Sequence, residues 1–366
     1  MPIYMDRHDV SESVNAENVA QLHKEDLKIQ EQFNCRGLTY WYDDIKKIAF
    51  CLIEAPDKDS IHKMHNSAHG EVPNQILEVD ENIVESFLGH IEDPQNSSST
   101  DLKIINDPAQ RTLMVVRYKT LSLNGIRNSK SGSNMKQTIK VFGKLFKNFE
   151  GRLIEHSNGY LLISFKSAYN AVQCAFELNS VFNDKIAAFY NSNVLVKIGL
   201  ATGMPVEANK GFFEDTIKMA YRLCFIDKTN IVMTSEVENL FITENLDATY
   251  DKDRIYTFPV SEEKHLNAII NFIEEEWQNI DFKVEDFEQP LGMSKTQVYR
   301  KFMLLTGKSP NSFLKEYRLN QALERINKNM QTISETAYET GFNSQSYFSK
   351  CFYRRFHVLP SDYIKT

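Results

Sequence analysis

The spacing of apolar and polar residues changes character three times along the chain. From residue 1 to 93, short β-like runs alternate with amphipathic stretches. MPIYMDRHDV opens as a strand, and AENVAQLHKEDLKIQEQF has a helical period with Val19, Leu22, Leu27 and Ile29 among its apolar positions. LTYWYDD and KIAFCLIEAP predict two strands, DKDSIHKMHNSAHG a second helix and NQILEVD a last strand. From 111 to 260 the alternation continues with longer segments. RTLMVVRYK predicts a strand. MKQTIKVFGKLFKNFEG predicts a helix with Ile139, Phe142, Leu145, Phe146 and Phe149 inward. GRLIEHSNGYLLISF predicts a hairpin about Asn158-Gly159, a pair suited to a type I′ turn. AYNAVQCAFELNSVFN is helical, NVLVKIGLATG a strand, GFFEDTIKMAYRLCFI leads into a helix, and NIVMTSEV predicts a final strand.

After residue 265 the pattern is helical almost throughout. LNAIINFIEEEW carries Leu266, Ile269, Ile270 and Phe272. A short helix over 284–289 ends near Pro290 and Gly292, and Ser294 is placed to cap the next helix, whose Val298, Phe302 and Leu305 form a buried stripe. The layout recurs. Ile333, Ala337 and Tyr338 predict an apolar face, Gly341 a turn, and Asn343 a cap for a helix with Tyr347, Phe348, Cys351 and Phe352 inward. SPNSFLKEYRLNQALERINK predicts a long helix joining the two units. Two short-helix, turn, second-helix units on one connector are two helix-turn-helix units.

IEDPQNSSSTD, 91–101, is polar and short-chained, and a softer break falls around TFPVSEEKH, 257–265. The expected units are therefore 1–93, a linker at 94–107, 108–260 and 265–366. The expected fold class is multidomain α+β: a ferredoxin-like β-α-β-β-α-β domain, a middle α+β domain and an all-α double helix-turn-helix domain.

Charge sharpens this division. The chain of 366 residues has a formal net charge of −7, yet residues 1–93 hold 19 acidic against 8 basic residues while 291–366 hold 12 basic against 5 acidic. A basic end on an acidic protein points to an anionic partner for that end. The off-stripe residues have the chemistry for DNA. Amides and Arg pair with base edges, while Lys and helix N-termini meet phosphate. Lys295, Gln297, Arg300, Gln345, Ser346 and Lys350 are the candidate base readers; Arg354 and Arg355 are candidate phosphate contacts, with Lys301 and Asn343 beside them. The alternative is an ordinary solvated face. Five scattered cysteines, Cys35, Cys51, Cys174, Cys224 and Cys351, fit free thiols in a reducing compartment, and the N-terminal residues have no secretory pattern, so a cytoplasmic protein is expected. No run of 18 uncharged apolar residues exists, and no membrane partner is expected.

LGMSKTQVYRKFMLLTGKSPNSFLKEYRLNQALE and ISETAYETGFNSQSYFSKCFYRRFHVLPSDYI resemble the DNA-binding domain of the AraC/XylS family of bacterial transcription regulators. The resemblance implies two helix-turn-helix units on one helix, and double-stranded promoter DNA as partner. In the middle, GRLIEHSNGYLLISF, AYNAVQCAFELN, VKIGLATGMPV and FFEDTIKMAYRLCFIDKTNIVMTSEV resemble a class III nucleotide cyclase domain. That family holds two metal ions with two Asp residues. This chain has Arg117, Tyr118 and Lys119 at the first of those positions and Gly159 at the second, and it has Lys218 where the family has Asn. The resemblance thus implies a cyclase fold without cyclase chemistry: a dimerisation scaffold, or a degenerate sensor with Asp215, Lys218 and Arg222 as the candidate ligand-binding residues.

In HKMHNSAHG, His65 and His69 are four apart on one helical face, with His62 one turn before His65. Neutral imidazoles at that spacing can hold nickel or another transition metal, and His8 could add a ligand; solvent-facing histidines are the alternative. Cys51 reads as core. YWYDDIKKIAFCLIEAPDKD and HNSAHGEVPNQILEVDE resemble a small bacterial domain described in some members as nickel-binding and dimeric. The expected function is a sequence-specific DNA-binding transcription regulator and not an enzyme, a homodimer modulated by a metal or small-molecule effector. The alternative is an active cyclase, or a metal-response protein, with an attached DNA-binding domain.

Overall fold

The computed structural model describes residues 1–93, 104–105, 107–120, 142–157, 160–182, 194–207, 210–247, 249–327 and 332–364. Its first sheet has four antiparallel strands, β1 (Ile3–Asp9), β2 (Arg36–Asp43), β3 (Ile48–Glu54) and β4 (Gln75–Val79), in the order β2-β3-β1-β4. Helices α1 (Ala16–Ile29) and α2 (Lys58–Ala68) cover one face, closing on Tyr4, Tyr40, Ile53, Ile61 and Met64. The ferredoxin-like order is as expected. Asp57 starts α2 by accepting the Ser60 N–H at 2.8 Å.

The other sheet face is covered as well. Met5, Leu38, Trp41, Phe50 and Leu52 share a core with Leu113, Val115, Leu162, Ala201 and Phe213 of the next sheet. Burial on both faces explains why β2 and β3 read as near-continuous apolar runs rather than alternating ones. A helix that the sequence pattern left unassigned, α3 (Glu81–Leu88), lies in this shared core through Val84, Phe87 and Leu88. Arg111 closes it. Its guanidinium donates to the Phe87 carbonyl at 3.2 Å and the Leu88 carbonyl at 2.9 Å, and is held by the Asp107 carboxylate at 3.0 and 3.1 Å. A cation thus satisfies the carbonyls left over at a helix C-terminus.

The second sheet has the order β10-β9-β8-β5-β7-β6. It is built from β5 (Arg111–Thr120), β6 (Arg152–Ser157), β7 (Tyr160–Phe165), β8 (Val194–Gly203), β9 (Ile231–Thr234) and β10 (Ile255–Phe258). β5 pairs antiparallel with β7 and β8, while β8, β9 and β10 run parallel. β6 and β7 pair antiparallel as the predicted hairpin does, with Ser157 opposite Tyr160; the turn pair 158–159 lies outside the described residues, as does Ile139. One face carries α4 (142–148), α5 (Ala168–Val181) and α7 (Ser235–Glu244), packed on Phe142, Phe146, Val172, Leu178 and Phe241. α6 (Glu214–Leu223) lies on the other. The stretch expected as a final strand through Val237 ends at Thr234, whose hydroxyl caps α7, and one more strand, β10, follows at the edge.

Only Pro259 separates β10 from α8 (Val260–Glu276), so the expected break at 260–265 falls within the first turns of that helix. Leu266, Ile269, Ile270 and Ile273 are its buried residues; Ile273 takes the place expected for Phe272, which is half-buried. The expected helix 284–289 is a 3-10 turn, Val284–Phe287, followed by the short α9 (Glu288–Leu291), which Gly292 ends. Then come α10 (Lys295–Thr306), the connector α11 (Pro310–Asn327), α12 (Ile333–Glu339), α13 (Gln345–Phe356) and α14 (Pro360–Ile364). The mixed α+β architecture, with an all-helical C-terminal part, is the one expected from the sequence.

Candidate metal centre and nucleic-acid interface

Asp6 and His8 project from β1 to the helix-covered side, and the register sets Asp6 directly opposite Cys51 on β3. α1 presents His23 and Asp26 inward beside Val19 and Ala20, polar groups where a helix usually buries apolar ones. His65 on α2 lies between them. Its Nε2 is 2.8 Å from Asp6 Oδ2 and its Nδ1 is 3.1 Å from Asp26 Oδ1. His69 Nε2 is 3.2 Å from the same Asp26 oxygen and 3.4 Å from His65 Nδ1. His8 Nε2 lies 3.3 Å from Asp6 Oδ1, and the His8 and His65 rings meet edge-on at 4.9 Å.

Burial opposes charge on Asp6, Asp26 and His65, but their mutual attraction wins. It would raise the Asp6 and Asp26 carboxyls, yet the neighbouring imidazoles hold both below the usual range, Asp6 far below it. It would lower His65, yet the two carboxylates push it up to about 10. For the Cys51 thiol, burial and the Asp6 carboxylate act together and push it well up.

The donor set suits a transition metal. Asp26, His65 and His69 bring three donor atoms within 4.8 Å of one another, and so do Asp6, His8 and Cys51. One contact resists coordination. The Glu71 N–H donates to His69 Nδ1 at 3.1 Å, and coordination through Nε2 would place the ring's proton on Nδ1 and break that contact. Of the expected ligands, His65, His69 and His8 come together. His62 does not; it is exposed on the outer face of α2. Asp6, Asp26 and Cys51 went unnoticed in the sequence as ligands. The Cys51 side chain is buried as expected, but it sits in this cluster.

Among the described residues, Asp215, Lys218 and Arg222 of α6 turn to different partners. Asp215 and Lys218 lie on the exposed side of α6, paired with Lys210 and Glu214, their near neighbours in sequence. Arg222 is buried and reaches α8, donating to Asn267 Oδ1 at 2.6 Å, to Asn271 Oδ1 and to Glu274 Oε2 at 3.1 Å. It joins two parts of the chain. Arg117 stacks over Phe225 and Tyr221 at 4.3 and 5.0 Å from their centroids, an arrangement for cation–π attraction.

In the C-terminal part, each helix-turn-helix unit has a buried stripe and a wet face. Val298, Phe302 and Leu305 of α10 are buried as expected, as are Phe348, Cys351 and Phe352 of α13. Tyr338 and Tyr347, expected inward, are half exposed because each lies one position off its stripe. Ser294 starts α10, its N–H and hydroxyl both donating to Gln297 Oε1 at 2.8 and 3.0 Å, so the exposed Gln297 is engaged in capping. Ser344, not Asn343, caps α13, accepting the Tyr347 N–H; Asn343 is exposed beside it.

Lys295 pairs with Glu285, and Lys301 turns back onto both oxygens of Glu262 at 2.8 and 3.1 Å. Arg355 turns in toward Glu316 on the connector, at 3.4 Å. Arg300, Lys350 and Arg354 are exposed and enter no ion pair among the described residues; Gln345 and Ser346 are exposed beside Lys350. Thr296, Tyr299 and Met303 also face solvent on α10, and Tyr353 on α13; the sequence pattern did not single them out.

These faces and the buried cluster belong to two recognisable domains. Residues 289–366 match the family model described as "Helix-turn-helix domain", and residues 4–79 match the one described as "Nickel responsive protein SCO4226-like". The chain is similar to histidine kinase P4 of Formosa agariphila, 37% identical over 102 residues, which are 28% of this chain and 7% of that protein. It is similar to the HTH-type transcriptional regulator MtrA of Neisseria gonorrhoeae, 34% identical over 27% of this chain and 32% of the regulator. Among solved structures, SCO4226 of Streptomyces coelicolor is 26% identical over 21% of this chain and 94% of its own, with a TM-score of 0.20. The chain thus spans a third or less of these two curated relatives. The match to the SCO4226-like model lies at one end of the chain and the match to the helix-turn-helix model at the other.

Proposed function

We propose that the protein is a non-catalytic transcription regulator that binds promoter DNA through α10 and α13, and that a transition metal at its N-terminal domain modulates this binding. The observation that carries the DNA reading is the pair of exposed faces, each backed by a buried apolar stripe. Arg300 serves on one face, and Gln345, Ser346, Lys350 and Arg354 on the other. Lys295 can leave its surface pair with Glu285 to meet a phosphate, since such exposed pairs contribute little. Gln297, Lys301 and Arg355 act through structure: capping, and ties to α8 and α11. Working on chromosomal DNA would put the protein in the cytoplasm.

Asp26, His65 and His69 would hold the metal, nickel being the favoured ion, with Asp6 accepting from the second ring nitrogen of His65 and so orienting it. The bound ion supplies charge that ties α1 to α2. A chain of contacts leads on from there: the shared core, the Phe87–Phe213 stack at 5.1 Å, α6, and its Arg222, which reaches α8. A ligand shifts DNA affinity only if its own affinity differs between two arrangements of that path. Any homodimer uses a surface other than the open face of the first sheet, which the chain itself covers. The divisions at 1–93, 94–107, 108–260 and 265–366 serve as functional units, with the last boundary blurred by α8.

Binding of the purified protein to its own upstream region, at fixed moderate salt with nickel and then with a chelator, tests this reading. A sequence-specific complex whose affinity changes on chelation is expected. Equal affinity in both conditions would remove the metal from the account.

A further inference from the structure

We propose that Asp6, His8 and Cys51 form a second metal position, separate from Asp26, His65 and His69, which takes a borderline divalent ion such as nickel or cobalt through a thiolate. This rests on the reading that the N-terminal domain binds a transition metal. Three observations carry it.

The strands preassemble the position. Asp6 and Cys51 are cross-strand partners, and His8 lies two residues along on the same sheet face, so backbone pairing rather than flexible loops sets their separation. The donor atoms of all three lie within 4.8 Å of one another.

His8 presents its Nε2 to the same carboxylate. That nitrogen is buried, in a residue only 8% exposed, and its partner is Asp6 Oδ1 at 3.3 Å. A bound ion would be held by the two together. The Asp6 carboxylate is correspondingly split, with Oδ2 committed to His65 and Oδ1 accepting the Cys51 N–H at 3.0 Å while lying toward His8.

The third is the donor chemistry. One nitrogen, one oxygen and one sulfur select a borderline metal over magnesium or calcium, which take oxygen alone. Cys51 is a free cysteine, and coordination replaces its thiol proton, which leaves to solvent.

The test is a nickel titration of the full-length protein after chelation and desalting, read by metal analysis and by near-ultraviolet absorption, with cobalt as a second probe. Two equivalents per chain and a thiolate-to-metal charge-transfer band are expected. Cys51→Ser should lose the band and one equivalent; His69→Ala should keep the band. A band that survives in Cys51→Ser, or one equivalent bound with no band, would overturn this inference and leave the first position standing. No metal bound by the unaltered protein would overturn both this inference and the metal part of the proposed function.

Discussion

The two helix-turn-helix units are built on one pattern but embedded differently. The first has no core of its own: Val298, Phe302, Leu305 and Phe313 close together with Leu223, Ile226, Val232 and Phe258 of the middle domain and with the inner face of α8. The second is self-contained, closing Leu319, Ala322, Ala337, Phe348, Phe352 and Phe356 on one another. The connector serves both, giving Tyr317 to the first core and Leu319 and Ile326 to the second. The second unit meets α8 through polar contacts, with Arg318 donating to the Trp277 and Asn279 carbonyls at 2.6 Å each. At that junction Gly341 has φ +77°, and a Cβ there would stand 2.6 Å from Arg318 Nε. One helix-turn-helix unit is therefore fixed to the middle domain, and the other follows along a helix.

The largest effect should come from emptying the two cores in turn. Phe302→Ala should cost about 3–5 kcal/mol and loosen the middle domain together with the first unit. Phe352→Ala should cost a similar amount but release only residues after α11. Denaturation followed by proteolytic mapping separates them, and identical cleavage patterns would erase the contrast between the units. Arg222→Ala removes charged hydrogen bonds between α6 and α8. About 2 kcal/mol is expected, with the nickel dependence of DNA binding lost while the complex itself remains. Preserved nickel dependence in that variant would place the coupling elsewhere.

Asp107 adds a dependence on pH. Burial would raise its carboxyl, but Arg111, Lys166 and the Ala109 N–H hold it below its ordinary value. Because the folded value is the lower one, its stabilisation is complete above the ordinary aspartate range, about pH 4, and is lost as pH falls through the lowered value. The seam between the first two domains should therefore weaken in acid, and Asp107→Asn should weaken it at neutral pH and flatten the profile. A titration followed by a probe at Trp41, which packs on this side of the sheet, would detect the change. The smallest effect should be that of Lys350→Ala on DNA affinity. If Lys350 meets a phosphate, the slope of log affinity against log salt should fall by about 1; an unchanged slope would remove it from the phosphate contacts.

Periodicity made the strand order of the first domain and both helix-turn-helix units legible, because each depends on local pattern. The sequence could not disclose what lies between elements. α3 is short, and Arg111, 23 residues beyond Leu88 and held by Asp107, completes its C-terminal end. His65 and His69 were found because they share a helix. Asp6, Asp26 and Cys51 were not, since they come from β1, α1 and β3 and meet only through sheet register and the packing of α1 on the sheet. Arg355 looks outward in the sequence; only the placement of α11 turns it to Glu316.

Selection of bound duplexes from a random-sequence pool, with the full-length protein and its Lys350→Ala/Arg354→Ala variant side by side, tests the central claim most directly. A regulator that reads DNA through these two faces should enrich one motif, with the variant losing affinity for it. Recovery of unenriched sequence by the full-length protein, or equal enrichment by the variant, would contradict the account.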